Sequence, residues 1–147
     1  MIYKGIHTEI IDADDWRRDY SENAHIIAFG KRKPAEWDRI DYAMLFISEV
    51  SKKPVGYVTC REFDHETVYW QFGGAMPETK GTHVSVQAFQ AGLEWTKLHY
   101  KRVTFVVENK NAAMLKLAQH EGFLIVGIRN FHGTVLVEFM KEFREAA

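Results

Sequence analysis

The chain has 147 residues, of which 46% are hydrophobic and 27% charged, and its formal net charge is −1. These values are typical of a globular protein, and we expect a single domain over residues 1–147. The interspersed charges argue against a nucleic-acid partner, and no apolar run is long enough to span a bilayer. Because no basic segment followed by an apolar core opens the chain, we predict a cytoplasmic protein without a signal peptide. The only cysteine, Cys60, is interpreted as a packed residue and not as a nucleophile.

The N-terminal part predicts a strand followed by a helix. Residues Ile2–Ile11 alternate loosely between apolar and polar side chains, which is typical of a strand. The next segment, Asp12–His25, has a helical pattern, and Asp12 or Asp14 is suited to cap it. A polar connection, Gly30–Arg39, follows, and its sequence indicates no specific chemistry.

Three strands are predicted in the middle of the chain. They are Tyr42–Val50, Pro54–Glu62 and Thr67–Met76, and the two links between them are short enough for hairpins. The third strand contains Gly73-Gly74, which indicates a bulge or the close approach of another backbone or a ligand. We therefore expect three successive antiparallel strands with an irregularity in the last one.

A long helix is predicted to begin at Thr82 or His83 and to end near Leu98. Its apolar residues cover a wide arc, so the helix is expected to lie flat on the sheet. The loop before it contains Gly81 and leaves backbone N–H groups at the positive end of the helix dipole. This arrangement suits a phosphate or pyrophosphate group.

The stretch after this helix has the clearest local signals. Residues Val103–Val107 are typical of a strand buried on both faces and central in a sheet. Asn111 is a natural N-cap for a helix over Ala112–His120, and Gly122 is suited to end that helix at the C′ position. A strand over Phe123–Ile128 follows, so the pattern predicts either a β-α-β unit or a β-α unit with an antiparallel return.

A last strand, Thr134–Phe143, forms a hairpin with the strand before it. The element order is then β-α-β-β-β-α-β-α-β-β. This order predicts an α/β (α+β) protein with a mixed, mostly antiparallel sheet of about six or seven strands and helices on both faces.

This order and three groups of residues resemble the GNAT superfamily of acyl-CoA-dependent N-acetyltransferases, over about residues 42–143. The most specific group is Asn111-Ala112-Ala113 with Gly122-Phe123, which is similar to the Asn-x-x-Ser helix and Gly-Phe of that family. The others are Met76-Pro77-Glu78 with Lys80-Gly81, similar to the end of the fourth strand and the pyrophosphate loop, and Gly133 with Val137–Lys141, similar to the closing hairpin.

The resemblance implies acetyl-CoA as acyl donor, bound where the fourth and fifth strands of the family splay apart. The residues that would meet the pantetheine are Phe72, Gly73, Gly74, Ala75 and Met76. Those that would meet the pyrophosphate are Lys80, Gly81, Thr82 and His83. The Asn111 side chain would lie near the pantetheine arm.

The sequence departs from the family pattern at several positions. The pyrophosphate loop keeps one glycine, and His83 stands where a small residue is usual. Met114 replaces the Ser of the helix motif, and Ala118 stands where the family often has the Tyr that protonates the leaving thiolate. The frequent base of the family is a Glu on the fourth strand, whereas this strand offers Tyr69 and Gln71, and Glu62 on the preceding strand is the nearest carboxylate. The candidate catalytic residues are therefore Tyr69 and Glu62.

The remaining histidines have no metal-ligand spacing, and we predict no metal.

Two functions follow from the resemblance. The first is transfer of an acetyl group to a small amine or a protein amino group. The alternative is a catalytically inactive GNAT-fold binding or structural module. A homodimer built by pairing strands of the last hairpin is a habit of the family, and Phe131, Phe139 and Phe143 would support it.

Overall fold

The computed structural model describes residues 5–20, 39–75 and 82–143, and within them the predicted element order is confirmed. The strands are β1 (Ile6–Asp12), β2 (Tyr42–Ser48), β3 (Pro54–Glu62), β4 (Thr67–Ala75), β5 (Arg102–Glu108), β6 (Leu124–Phe131) and β7 (Thr134–Glu142). The helices are α1 (Ala13–Asp15), α2 (His83–His99) and α3 (Ala112–His120), and a π-helical turn, Trp16–Tyr20, continues α1.

The predicted first helix, Asp12–His25, is described only in its first part. Asp12 caps it, since its Oδ1 accepts a hydrogen bond from the Asp15 backbone N–H at 2.9 Å. The backbone then widens from α1 into the π-helical turn. The rest of that helix, the start of the predicted first strand and nearly all of the Gly30–Arg39 connection lie outside the described residues.

The seven strands form one mixed sheet in the order β1-β2-β3-β4-β5-β7-β6. The β1–β2, β2–β3, β5–β7 and β6–β7 ladders are antiparallel. The β4–β5 ladder is parallel and pairs Thr67–Tyr69 with Arg102–Thr104. The predicted fold class, a mostly antiparallel mixed sheet with helices, is confirmed.

Strand β5 is central, as its run of apolar residues predicts, because it pairs with β4 on one side and β7 on the other. Strand β7 lies between β5 and β6 and is antiparallel to both. Strands β5 and β6 therefore run in the same direction. The β5-α3-β6 segment is a β-α-β crossover with a third strand inserted between its two strands.

The chain divides into two compact units, and the first comprises Met1–Arg61 and Trp70–Leu98. Trp16 is fully buried there, with its ring centroid 5.1 Å from that of Tyr57. Helix α2 approaches β2 so closely at Gly92 that a Cβ there would lie 2.9 Å from Cζ of Phe46. Helix α2 can therefore pack this closely against β2 only with a small residue at position 92.

The second unit comprises Glu62–Tyr69 and His99–Ala147. Its core is an aromatic cluster in which the Phe105 ring lies 4.8 Å from that of Phe123 and 5.6 Å from that of Phe139. Phe123 follows the glycine that ends α3, so the end of this helix delivers an aromatic side chain into the core. That placement depends on the backbone conformation of Gly122.

Candidate functional site

The end of strand β4 carries the residues that the resemblance assigns to the pantetheine. Its parallel ladder with β5 involves Thr67–Tyr69, and the strand continues for six further residues, Trp70 to Ala75. Gly73 is exposed, and a Cβ there would lie 3.2 Å from the carbonyl oxygen of Tyr57 and from Cγ2 of Val58. The predicted close approach of another backbone at Gly73 is therefore present, and the neighbour is β3. Met76 lies outside the described residues.

The start of helix α2 belongs to the predicted pyrophosphate site. Its first turn carries no acidic side chain, so no anion there opposes the positive end of the helix dipole. The carbonyl oxygen of Thr82 accepts hydrogen bonds from the N–H and the Oγ–H of Ser85, at 3.2 and 2.7 Å. Thr82 and His83 are exposed, whereas Lys80 and Gly81 lie outside the described residues.

The N-terminus of helix α3 is capped by Asn111, as predicted. Its Oδ1 accepts a hydrogen bond from the Met114 N–H at 3.2 Å. The side-chain oxygen takes part in the cap, and the Nδ2 group can donate hydrogen bonds to a ligand. An amide nitrogen donates hydrogen bonds, so Asn111 is suited to contact a carbonyl oxygen.

The C-terminus of α3 contains Ala118, the position at which the resemblance places a tyrosine. Ala118 is fully buried, and its carbonyl oxygen accepts a hydrogen bond from the N–H of Phe123 at 3.0 Å. The N–H of Gly122, whose φ is +88°, donates to the carbonyl oxygen of Gln119. Together these bonds form a Schellman motif, so the predicted C′ glycine is confirmed. No side chain at position 118 is available as a proton donor.

The candidate base Glu62 has a structural partner. Its Oε1 accepts a hydrogen bond from the hydroxyl of Tyr100 at 2.5 Å. Glu62 is exposed and is the last residue of β3, next to the turn that leads to β4. Phe72–Ala75 are the last residues of β4 and lie at the other end of that strand from the turn. The other candidate, Tyr69, stacks on Phe63 with a centroid distance of 5.3 Å.

Sequence reasoning missed both partners, Tyr100 and Phe63. Tyr100 lies 38 residues from Glu62, and a single polar side chain at the end of a helix has no local pattern that reports such a distant contact. Phe63 is more than half exposed and follows β3 directly, and a single aromatic residue after a strand has no local pattern that predicts its stacking partner.

The turn between β3 and β4 is fixed by charge. Nη2 of Arg102 lies 3.2 Å from the Glu66 carboxylate, and Nζ of Lys101 lies 3.5 Å from it. The positive charge of Lys101 is the main reason why the pKa of Glu66 is lowered. Oδ1 of Asp64 accepts hydrogen bonds from the N–H groups of Glu66 and Thr67, at 2.7 and 2.9 Å, which lowers the pKa of Asp64. These contacts hold in place the segment that follows Glu62.

The sole cysteine is buried, as interpreted from its sequence position. Burial raises the pKa of the Cys60 thiol, and it also raises the pKa of the hydroxyl of Tyr57, which lies on the same strand. A thiol that stays protonated is a poor nucleophile. Cys60 therefore belongs to the packing and not to the chemistry.

Within residues 5–20, 39–75 and 82–143, no group of three or more His, Cys, Asp or Glu side chains is placed to hold a metal ion. Over the same ranges, no helix combines the length and the apolar character needed to cross a membrane.

No protein-family model matches the chain, and no curated protein matches it in sequence. Solved structures do match. A GNAT family acetyltransferase from Elizabethkingia anophelis with acetyl-CoA bound has a TM-score of 0.74 and 17% identity, over 95% of this chain and 99% of that one. The ribosomal-protein-S18-alanine N-acetyltransferase from Escherichia coli has a TM-score of 0.76 and 10% identity, over 97% and 96%. The IAA acetyltransferase from Bacillus cereus has a TM-score of 0.74 and 13% identity, over 94% and 99%.

Proposed function

From the premise that this chain has the fold of the GNAT acetyltransferases, we propose that it transfers an acetyl group from acetyl-CoA to a primary amine. The acceptor is a small amine or a protein amino group. The observation that carries the proposal is the build of β4, which runs six residues past its ladder with β5. Backbone N–H and C=O groups in such a segment can pair with an extended amide chain, which is what the pantetheine arm is.

Cofactor binding is assigned mainly to backbone groups. The pantetheine is proposed to pair with β4 over Phe72–Ala75 and Met76, and Asn111 donates from Nδ2 to one of its carbonyl oxygens. The pyrophosphate is assigned to Lys80, Gly81, Thr82 and His83. Helix α2 supplies the positive end of its dipole for this anion.

The chemistry is direct aminolysis of the thioester. The amine nitrogen forms a bond to the acetyl carbon, the C–S bond breaks, the amine loses a proton and the thiolate of CoA gains one. A carboxylate is suited to accept the first proton and a phenol to donate the second, so we assign these roles to Glu62 and Tyr69. Because a thiol has a pKa of about 8.5, its thiolate leaves without an acid more readily than an alkoxide does.

Titration calorimetry and thermal unfolding with acetyl-CoA and CoA test the binding. We expect both ligands to raise the melting temperature in a concentration-dependent manner, because they bind only the folded chain. Absence of heat and of stabilisation at millimolar ligand would refute cofactor binding. Gly81→Trp is expected to abolish binding without loss of fold, and Val50→Trp, at a residue that is 91% exposed in the β2–β3 turn, is the control for the added tryptophan.

Turnover is tested by following release of the CoA thiol with a panel of amines. The sole cysteine is buried, so the protein adds little background to a thiol-reactive dye. We expect Glu62→Gln to lower kcat/KM by about 100-fold or more, the size typical of a lost general base. Tyr100→Phe removes the hydroxyl group that donates a hydrogen bond to Glu62 and is expected to lower kcat/KM by a smaller factor. Unchanged kcat/KM in Glu62→Gln would exclude Glu62 as the base.

A second candidate function, a GNAT-fold binding module without catalysis, is favoured by two observations. Position 118 is a buried alanine where the family often has a tyrosine, and the carboxylate of Glu62 is engaged by Tyr100. Binding of acetyl-CoA without thiol release for any amine would identify this function. If the chain neither binds acetyl-CoA nor releases the thiol, both functions are refuted.

A further inference from the structure

Three side chains form a row across strands β5, β7 and β6. Leu136 on β7 lies directly opposite Glu108 on β5 and directly opposite Arg129 on β6. Residues that are directly paired across antiparallel strands point to the same face, so an acid, an apolar side chain and a base stand side by side. Neighbouring strands are about 4.8 Å apart, which separates the first and last members of the row by about 10 Å. We refer to these three residues as the acid–base row.

The acid–base row is open to solvent. The side chains of Glu108 and Arg129 are 50% and 57% exposed, and Leu136 is half-buried. Because successive residues of a strand alternate between the two faces, Glu108 lies on the face opposite Phe105, whose ring packs against Phe123 in the aromatic core. A ligand can therefore reach the row without displacing the core.

Arg129 is held in place by its neighbours in the sheet. Its Nε lies 2.6 Å from Oε1 of Glu138 on β7. Gly127 makes room for that carboxylate, since a Cβ at position 127 would lie 3.2 Å from Oε2 of Glu138. Because this ion pair uses Nε, the guanidinium can offer its Nη groups to a second carboxylate, and arginine binds carboxylates best through two parallel N–H bonds.

Glu108 lies at the end of the row that is next to Asn111. The backbone carbonyl oxygen of Glu108 accepts a hydrogen bond from the Asn111 N–H at 2.9 Å, and Asn111 is the residue assigned to the pantetheine. The Glu108 carboxylate lies 3.5 Å from Nζ of Lys110, whose side chain is 83% exposed. An ion pair as exposed as this one contributes little to stability, so the ammonium group of a ligand can replace Lys110.

We propose that the acid–base row binds an α-amino acid with an apolar side chain, as the acceptor of the acetyl group. The ammonium group contacts Glu108, the carboxylate binds the Nη groups of Arg129, and the apolar side chain lies on Leu136. The amine is thereby placed at the end of the row next to Asn111, and the carboxylate points away from it. The role of acceptor rests on the proposed acetyltransferase function, whereas the binding of the amino acid does not.

Titration calorimetry with L-leucine and isoamylamine tests the site, because the two compounds differ only in the carboxylate. L-Leucine is expected to bind the natural chain more tightly. Arg129→Gln should weaken L-leucine by about tenfold or more, the size typical of a lost charge-assisted hydrogen bond, and leave isoamylamine unchanged. Glu108→Gln should weaken both compounds. The matched control is Lys116→Gln, which removes an exposed positive charge from α3 and should change neither.

A second variant separates loss of the site from loss of the fold. Arg129→Lys keeps a positive charge beside Glu138 but lacks the planar fork, so it should weaken L-leucine alone and by a smaller factor. Thermal unfolding without ligand shows whether each variant is folded. Absence of L-leucine binding to the natural chain, or equal weakening of L-leucine and isoamylamine by a folded Arg129 variant, would overturn the site.

Acetyl transfer separates this inference from the proposed function. L-Leucine binding with the expected pattern, without release of the CoA thiol for any amine, would support the site and refute the transferase. Thiol release with isoamylamine at the same kcat/KM as with L-leucine would refute the amino-acid acceptor and support the transferase. A higher kcat/KM for L-leucine that is lost in Arg129→Gln would support both.

Discussion

At the scale of single residues, the signals that act within a few positions of the chain were readable from the sequence. Asn111 as N-cap and Gly122 as C′ residue were predicted correctly, because caps bond to backbone groups three or four residues away. The contact between Glu62 and Tyr100 was not predictable, because no local rule links residues so far apart. The identity of the base was accordingly the least constrained part of the candidate site.

Gly122, the C′ residue that follows α3, is expected to be sensitive to substitution. Its φ of +88° is costly for a residue with a Cβ, although the nearest atom to a Cβ, Lys141 Nζ, would lie 3.5 Å away. Gly122→Ala should therefore lower the free energy of unfolding by about 1 kcal/mol through backbone strain and not through a clash. Gly122→Asn should lose less, because Asn tolerates this conformation. Urea unfolding measures both, and equal losses would contradict the strain explanation.

Glu66 is expected to make stability depend on pH. Its pKa in the folded chain lies below that of the unfolded chain, chiefly because of Lys101. The stabilisation is therefore fully present above the unfolded pKa, about 4.3 for a glutamate, and is lost as the pH falls through the folded pKa. Urea unfolding should show Glu66→Gln less stable than the natural chain at pH 7, with a difference that shrinks in strong acid. A pH-independent difference would assign the effect to something other than charge.

At the scale of elements, sequence patterns gave the type and order of the strands and helices, and they missed how the last strands are arranged. The runs at β5 and β6 look alike in composition, yet β5 is central and β6 is an exposed edge. An apolar composition indicates that a strand tends to be buried, but it does not indicate which other element packs against that strand. The insertion of β7 between β5 and β6 is a property of chain topology, which these local patterns do not contain.

The packing of α2 depends on Gly92. A Cβ at this position would lie 2.9 Å from Cζ of Phe46, and Phe46 is almost completely buried, so its ring has little room to move. Overpacking of this kind costs about 1 to 3 kcal/mol, while replacing a helical glycine by alanine gains about 1 kcal/mol. We expect a net loss in Gly92→Ala by urea unfolding.

The double variant Gly92→Ala with Phe46→Leu isolates this contact. The smaller side chain at position 46 relieves the crowding, so the two changes together should cost less than the sum of the single changes. Strict additivity would mean that Gly92 is required for some reason other than Phe46.

At the scale of the whole molecule, the sole cysteine gives a probe of how the folded chain opens. Cys60 is fully buried and burial raises the pKa of its thiol, so reaction with a maleimide should require an opening event. We expect labelling to be slow without denaturant and to accelerate with urea. A second thiol in Ser51→Cys, in the exposed β2–β3 turn, should react at once and calibrates the reagent.

The same labelling reaction separates cofactor binding from catalysis, since it needs no turnover. A ligand that binds the folded chain lowers the population of open states, so saturating acetyl-CoA should slow labelling of Cys60 by the factor by which it stabilises the fold. The thiol of Ser51→Cys should keep its rate, because its exposure does not depend on opening. Slowing at Cys60 with no thiol release from any amine would indicate the binding module, whereas slowing together with turnover would indicate the transferase.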